Sequence, residues 1–112
     1  MFRTVLRFTP NPEDIPQIEA IFAAGDVLGY SLEQTRAISS ELCVSVDGGE
    51  AEIIVTATWP DAKAYQEWLD HPRRGTVAAG LPELVGEPGA ARLFKVKQRA
   101  SRVDENVVRE EI

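Results

Sequence analysis

One hundred and twelve residues make one domain, long enough to bury roughly two-thirds of its unfolded surface around a single core. Its hydrophobic content of 44% and charged content of 27% are those of an ordinary globular protein, and the single Cys43 excludes an internal disulfide and a cysteine metal cluster. A formal net charge of −6 argues against nucleic acid as a partner, because phosphate binding needs clustered Lys and Arg.

Residues Phe2 to Phe8 read as a strand, with Phe2, Leu6 and Phe8 on one parity and Arg3 and Arg7 on the other. Pro10 and Pro12 break it. Asp14 is placed as an N-cap, with Pro16 in the first turn and Gln17 set for a capping box. Ile15, Ile18, Ile21 and Phe22 then recur at helical spacing until Gly25, and residues 25 to 34 are expected to be a longer connection.

A β-hairpin follows, with Leu42, Val44 and Val46 alternating into an Asp47-Gly48-Gly49 turn. The return strand carries Ile53, Val55, Ala57 and Trp59 on one parity, and Ile54, Thr56 and Thr58 on the other. Asp61 caps a second helix whose inward stripe is Ala64, Tyr65, Trp68 and Leu69, and Pro72 ends it. A looser segment from Arg73 to about Val85 and a loop at Gly86, Pro88 and Gly89 lead to a last strand, Ala91 to Gln98.

The order β-α-β-β-α-β predicts an α+β fold, the ferredoxin-like plait: a four-stranded antiparallel sheet with both helices on one face. The expected division is a domain over residues 1–99 and a tail over 100–112, the tail being either disordered or a short helix lying on a partner subunit. Val5, Ala37, Cys43 and Ile54 put apolar groups on the parity that two helices leave uncovered, so a homodimer joined sheet to sheet is expected. No charged-then-apolar leader opens the chain and no run approaches the ~18 apolar residues of a membrane span. The expected address is therefore cytoplasmic, with no membrane partner.

The passage Thr58 to Pro72, TWPDAKAYQEWLDHP, holds both tryptophans and one of the two tyrosines. Rings at a strand-to-helix corner either fill core or wall a flat pocket, and the polar tips of Trp59, Tyr65 and Trp68 favour a pocket. Leu69 and Leu81 are expected to close it, with Arg73 and Arg74 as substrate-binding cations or a solvated pair. His71, the one histidine, is either a general base at the pocket mouth or a helix C-terminal residue favoured by the dipole. One Cys, one His and no glycine-rich phosphate loop give no recognisable metal, flavin or nucleotide site, so no cofactor is expected.

The strand-Trp-turn-helix-Tyr passage TWPDAKAY resembles the antibiotic biosynthesis monooxygenase family, dimeric α/β barrels built from this plait, and within it the quinone-forming polyketide enzymes of the actinorhodin type. MFRTVLRF, DHPRR and GLPELVGEPGAARLF are similar to the family as well. The resemblance implies a metal- and flavin-free monooxygenase acting on an anthrone-like aromatic polyketide and dioxygen, with Tyr65 and Trp59 as donors to the peroxide. Two family positions differ: an asparagine four residues before the tryptophan is Val55 here, and an arginine after the second helix aligns with Ala78. Ala78 also stands where haem-degrading relatives carry a histidine, which points away from haem. A polyketide cyclase on the same barrel and a non-catalytic small-molecule binding protein remain as alternatives.

Overall fold

A computed structural model describes residues 1–74, 80–85 and 91–112 of the chain. Its centre is the pairing of β1 (Phe2–Phe8) with β3 (Ile53–Trp59), flanked by β2 (Ser39–Val44) and β4 (Arg92–Lys95). The order is β2-β3-β1-β4, all neighbours antiparallel, as the ferredoxin-like plait requires. The register places Phe8 opposite Ile53, Leu6 opposite Val55 and Thr4 opposite Ala57, so these side chains share one face. Leu42 and Val44 extend that face on β2.

Helix α1 (Ile15–Ala24) lays Ile18 and Phe22 on this face, and α4 (Leu81–Val85) adds Leu81. Ile18 and Ile53 are wholly inaccessible. Each such side chain contributes roughly 1.5–3 kcal/mol by leaving water. The opposite face presents Val5, Ile54 and the exposed Cys43 and Phe94 beside Arg3 and Arg7, with no helix over it among the described residues.

Several local expectations are corrected. Gly25 does end α1, its N–H reaching Ile21 O at 3.1 Å, but the chain then turns through Asp26 (φ 46°) into α2 (Val27–Gln34) instead of an open connection. The half-buried Val27 and Leu28, together with buried Ser31, hold this helix to the core. Within α2, a Cβ at Gly29 would stand 2.6 Å from Asp26 Oδ1, so a larger residue there would have to displace the Asp26 carboxylate. Asp14 makes no side-chain cap: its backbone is already helical (φ −89°, ψ −11°), because a 3₁₀ turn (Pro12–Asp14) precedes α1. The Gln17 capping box is not formed.

The hairpin between β2 and β3 is wider than a tight turn. Strand pairing ends at Val44 and Ile53, and residues 45–52 form a loop in which Asp47 Oδ1 accepts from Gly49 N–H and Gly48 takes φ +81°. Helix α3 (Ala62–Leu69) begins as expected, Asp61 Oδ1 accepting from Ala64 N–H at 2.8 Å. The loop assigned to Gly86, Pro88 and Gly89 lies outside the described residues.

The last strand is shorter than expected, ending at Lys95 rather than Gln98. Beyond it the chain forms a separate hairpin, β5 (Gln98–Val103) and β6 (Asn106–Glu111), turning at Asp104 with φ 57°. The tail is therefore strand, neither disordered nor helical, Gln98–Val103 pairing antiparallel with Asn106–Glu111. The hairpin is tied at its base, where Val96 N–H donates to Met1 O and Ile112 N–H to Lys97 O. A radius of gyration of 15.1 Å, against about 13 Å for a compact chain of this length, fits its projection from the sheet.

The core assignment has a direct check by denaturant unfolding. Ile53→Ala should cost about 2–5 kcal/mol, since it empties a closed site. Val46→Ala, at a position 95% exposed, should change stability by less than about 0.5 kcal/mol.

Candidate functional site

One end of the helix-covered face carries the core; the other carries a cleft. It lies between the sheet residues Thr4, Val55 and Trp59 and the helical residues Leu28, Tyr65 and Trp68, with Ser31 and Ser40 also on its wall. Its volume is about 80 Å³, small beside the ~300–1,000 Å³ of most ligand sites. Trp59 ends β3 and is only 2% exposed. Its Nε1–H donates to Thr4 Oγ1 at 3.0 Å. Tyr65, six residues on, sets its ring 5.4 Å from that of Trp59 at 56°, and Trp68 follows within one turn of α3.

The polar groups of the cleft are mostly spent on one another. Ser31 Oγ donates to Leu28 O at 2.7 Å and Ser40 Oγ to Thr56 O at 3.0 Å. The Trp59 indole N–H, expected as a donor to a reacting oxygen, is committed to Thr4. The Tyr65 hydroxyl makes no hydrogen bond among the described residues.

A second aromatic group closes the seam between α2 and α3. Tyr30 meets Trp68 edge-on at 6.1 Å and His71 at 5.5 Å and 90°, and the Arg73 guanidinium lies 5.9 Å above its ring. Arg73 N–H donates to His71 Nδ1 at 3.2 Å, which leaves Nε2 to carry the proton toward Gln34 Oε1, also at 3.2 Å. His71 thus sits in a packed corner between two helices and does not line the cleft. Of the two arginines, Arg74 lines the cleft and Arg73 covers Tyr30.

Leu81 is packed into the core with Phe8, Ile18, Phe22 and Ile53 and does not close the cleft. Leu69 does not line it either. Ala78 lies outside the described residues. Sequence reasoning missed Thr4, Ser31 and Tyr30: the last two were assigned to a connection, and a lone threonine on a strand gives no signal until its cross-strand neighbour is known.

Arg36 bridges the N-cap and the second turn of α3. Its guanidinium donates two bonds to Asp61 (3.0 and 3.2 Å) and two to Glu67 (3.0 and 2.7 Å). These bonds raise the Arg36 pKa, and the bond from Arg36, followed by that from Ala64 N–H, lowers that of Asp61.

No protein-family model and no curated protein matches the chain. Solved structures do. The chain is similar to SnoaB, a cofactor-independent oxygenase from Streptomyces nogalater, with a TM-score of 0.69 at 21% identity over 88% of this chain and 94% of that one. It is also similar to the heme-degrader MhuD from Mycobacterium tuberculosis, with a TM-score of 0.61 at 20% identity over 86% and 95%. A dimeric ferredoxin-like protein from Thermobifida fusca follows at 0.57 and 13% identity over 85% and 90%. At these identities what is shared is the fold. The expected resemblance to the antibiotic biosynthesis monooxygenases is met at that level.

Asp61 gives the clamp a pH signature. Because its folded pKa is lowered, its contribution to stability is present above the ordinary carboxylate value of about 4 and is lost as pH falls through the lowered one. Arg36→Ala removes the main cause, so the decline of melting temperature below about pH 4 should become shallower than in the wild type. Equal slopes would show that Arg36 does not hold Asp61.

Proposed function

We propose that this chain is a cofactor-independent monooxygenase of the antibiotic biosynthesis monooxygenase kind, oxidising a phenol-bearing, anthrone-like aromatic with dioxygen. The observation that carries the reading is the pairing of Tyr65 with the buried Trp59 in an apolar cleft, the tyrosine hydroxyl making no hydrogen bond among the described residues. The fold shared with SnoaB supports it.

The chemistry needs little from the protein. An anthrone-like substrate loses a proton, its electron-rich anion gives electrons to dioxygen, and a carbon–oxygen bond forms. The O–O bond then breaks, and one oxygen leaves as water while the other becomes the quinone carbonyl. Tyr65 is the donor to the forming peroxide and a proton shuttle. Trp59, its N–H occupied, walls the ring face. Arg74, on the cleft wall, attracts the anion.

A volume of about 80 Å³ is below the ~150 Å³ that houses one benzene ring. A polycyclic substrate therefore enters edge-first with its remaining rings outside the cleft, or α2 and α3 draw apart. The haem chemistry of MhuD does not carry over on the residues seen: both ring nitrogens of His71, the sole histidine, are held, by Arg73 N–H and by Gln34.

The acting species is a homodimer joined through the open sheet face, supported by Val5, Ile54 and Phe94 there and by the dimeric ferredoxin-like neighbour. A cytoplasmic setting completes the reading; among the described residues no helix is long and apolar enough to cross a membrane.

Oxygen uptake with anthrone is the primary test. Tyr65→Phe should lower kcat by about 10²-fold with the melting temperature nearly unchanged. Closure of a poly-ketone without oxygen uptake would favour the cyclase, and tight binding without turnover a binding protein. Light scattering should report a dimer at micromolar concentration; a monomer would remove the shared-face assembly.

A further inference from the structure

We propose that Thr4 is the hydrogen-bond donor that fixes the oxygen of a bound aromatic in the cleft, and that the site therefore selects a ligand whose oxygen accepts: an aryl ketone, a quinone or a phenolate. This rests on the reading of the cleft as an aromatic site.

The argument is an account of protons. Ser31 and Ser40, the other aliphatic hydroxyls that turn into the cleft, have given theirs to the carbonyls of Leu28 and Thr56, while Thr56, also on the wall, stands opposite Val5 and turns its own hydroxyl to the open face. The Trp59 N–H is given to Thr4 Oγ1. A threonine oxygen that accepts still has its own proton to donate. Thr4 is 6% exposed, lines the cleft, and makes no other side-chain hydrogen bond among the described residues. A buried donor left without an acceptor is costly, and an oxygen entering the cleft removes that cost.

Position and polarity agree. Thr4 stands opposite Ala57, so on the helix-covered face it is the diagonal neighbour of both Val55 and Trp59. Val55 has no donor to offer, and Thr4 supplies one to the same patch of sheet from the next strand. Donation by the indole into Oγ1 polarises the hydroxyl and strengthens it as a donor. Thr4 then acts from the sheet and Tyr65 from the helix opposite: one group anchors a ligand oxygen, the other faces the edge that reacts.

Acetophenone and ethylbenzene, which differ by one carbonyl oxygen, are the probes, and ¹H–¹⁵N NMR of the chain's two indole N–H groups is the readout, with Trp59 assigned through Trp59→Phe. Wild-type protein should bind acetophenone more tightly than ethylbenzene. Thr4→Val should weaken acetophenone about 3–10-fold and leave ethylbenzene unchanged, while Thr4→Ser, which keeps the hydroxyl, restores the preference. In the wild type the Trp59 signal should move further downfield with acetophenone than with ethylbenzene, a result that does not depend on any variant folding. If Thr4→Val keeps the preference, or the wild-type Trp59 signal answers both probes alike, Thr4 is not the donor and the aromatic site stands without it. If neither probe binds, the reading of the cleft fails and the proposal with it.

Discussion

The pairing of β1 with β3 is the constraint on which the rest of this molecule depends. One register carries both the core and the cleft: Phe8 against Ile53 at one end, Thr4 and Trp59 at the other. A slip of one residue would turn Ile53 and Trp59 to the open face and bring Ile54 and Thr58 under the helices. The hydrogen bond from Trp59 to Thr4 closes the arrangement from within, since it joins the two strands through side chains as well as backbone. Stability and site are thus two ends of one ladder, and damage to the ladder is felt at both.

The helices divide the work differently. Helix α1 is apolar on its covered side and packs as core, whereas α2 and α3 meet the sheet with Val27, Leu28, Ser31, Tyr65 and Trp68, a mixture that leaves space. A cleft persists there because its rings are held from outside. Arg36 bonds the N-cap Asp61 and Glu67 in the second turn of α3, and Tyr30 packs against Trp68 and His71 at its far end. Both contacts are made by residues of α2 or the connection that follows it.

Much of the architecture was legible for simple reasons. The alternation in β1 and β3, the Asp61 cap and the stripe Ala64-Tyr65-Trp68 each follow from a local rule that tertiary structure did not override. The misses share a cause. Helix α2 carries Gly29, Tyr30 and Ser31, weak helix formers, and owes its existence to burial of Val27 and Leu28, which no local propensity reveals. Asp14 looked like a cap but lies within a 3₁₀ turn that begins at Pro12. In the tail, Val107 and Val108 are adjacent and so set no alternation, and a sparsely apolar segment without an obvious core to face does not read as a hairpin. Leu81 was close to the cleft in sequence and is drawn into the core by packing, and Leu69 does not line the cleft.

The same reasoning bears on how a site should be sought in a chain of this fold. A motif written along one strand names positions at spacing two, and along β3 it passes Val55, Ala57 and Trp59, of which only the last is polar. A ligand, however, meets a sheet as a surface, where the nearest neighbours of a position lie across the ladder as well as along it. Thr4, fifty-five residues from Trp59 in sequence, is bonded to it in space. The absence of an asparagine at position 55 therefore removes a side chain without removing polarity from that patch. Polar capacity belongs to the patch, and an adjacent strand can supply it while the strand-borne motif reads as broken.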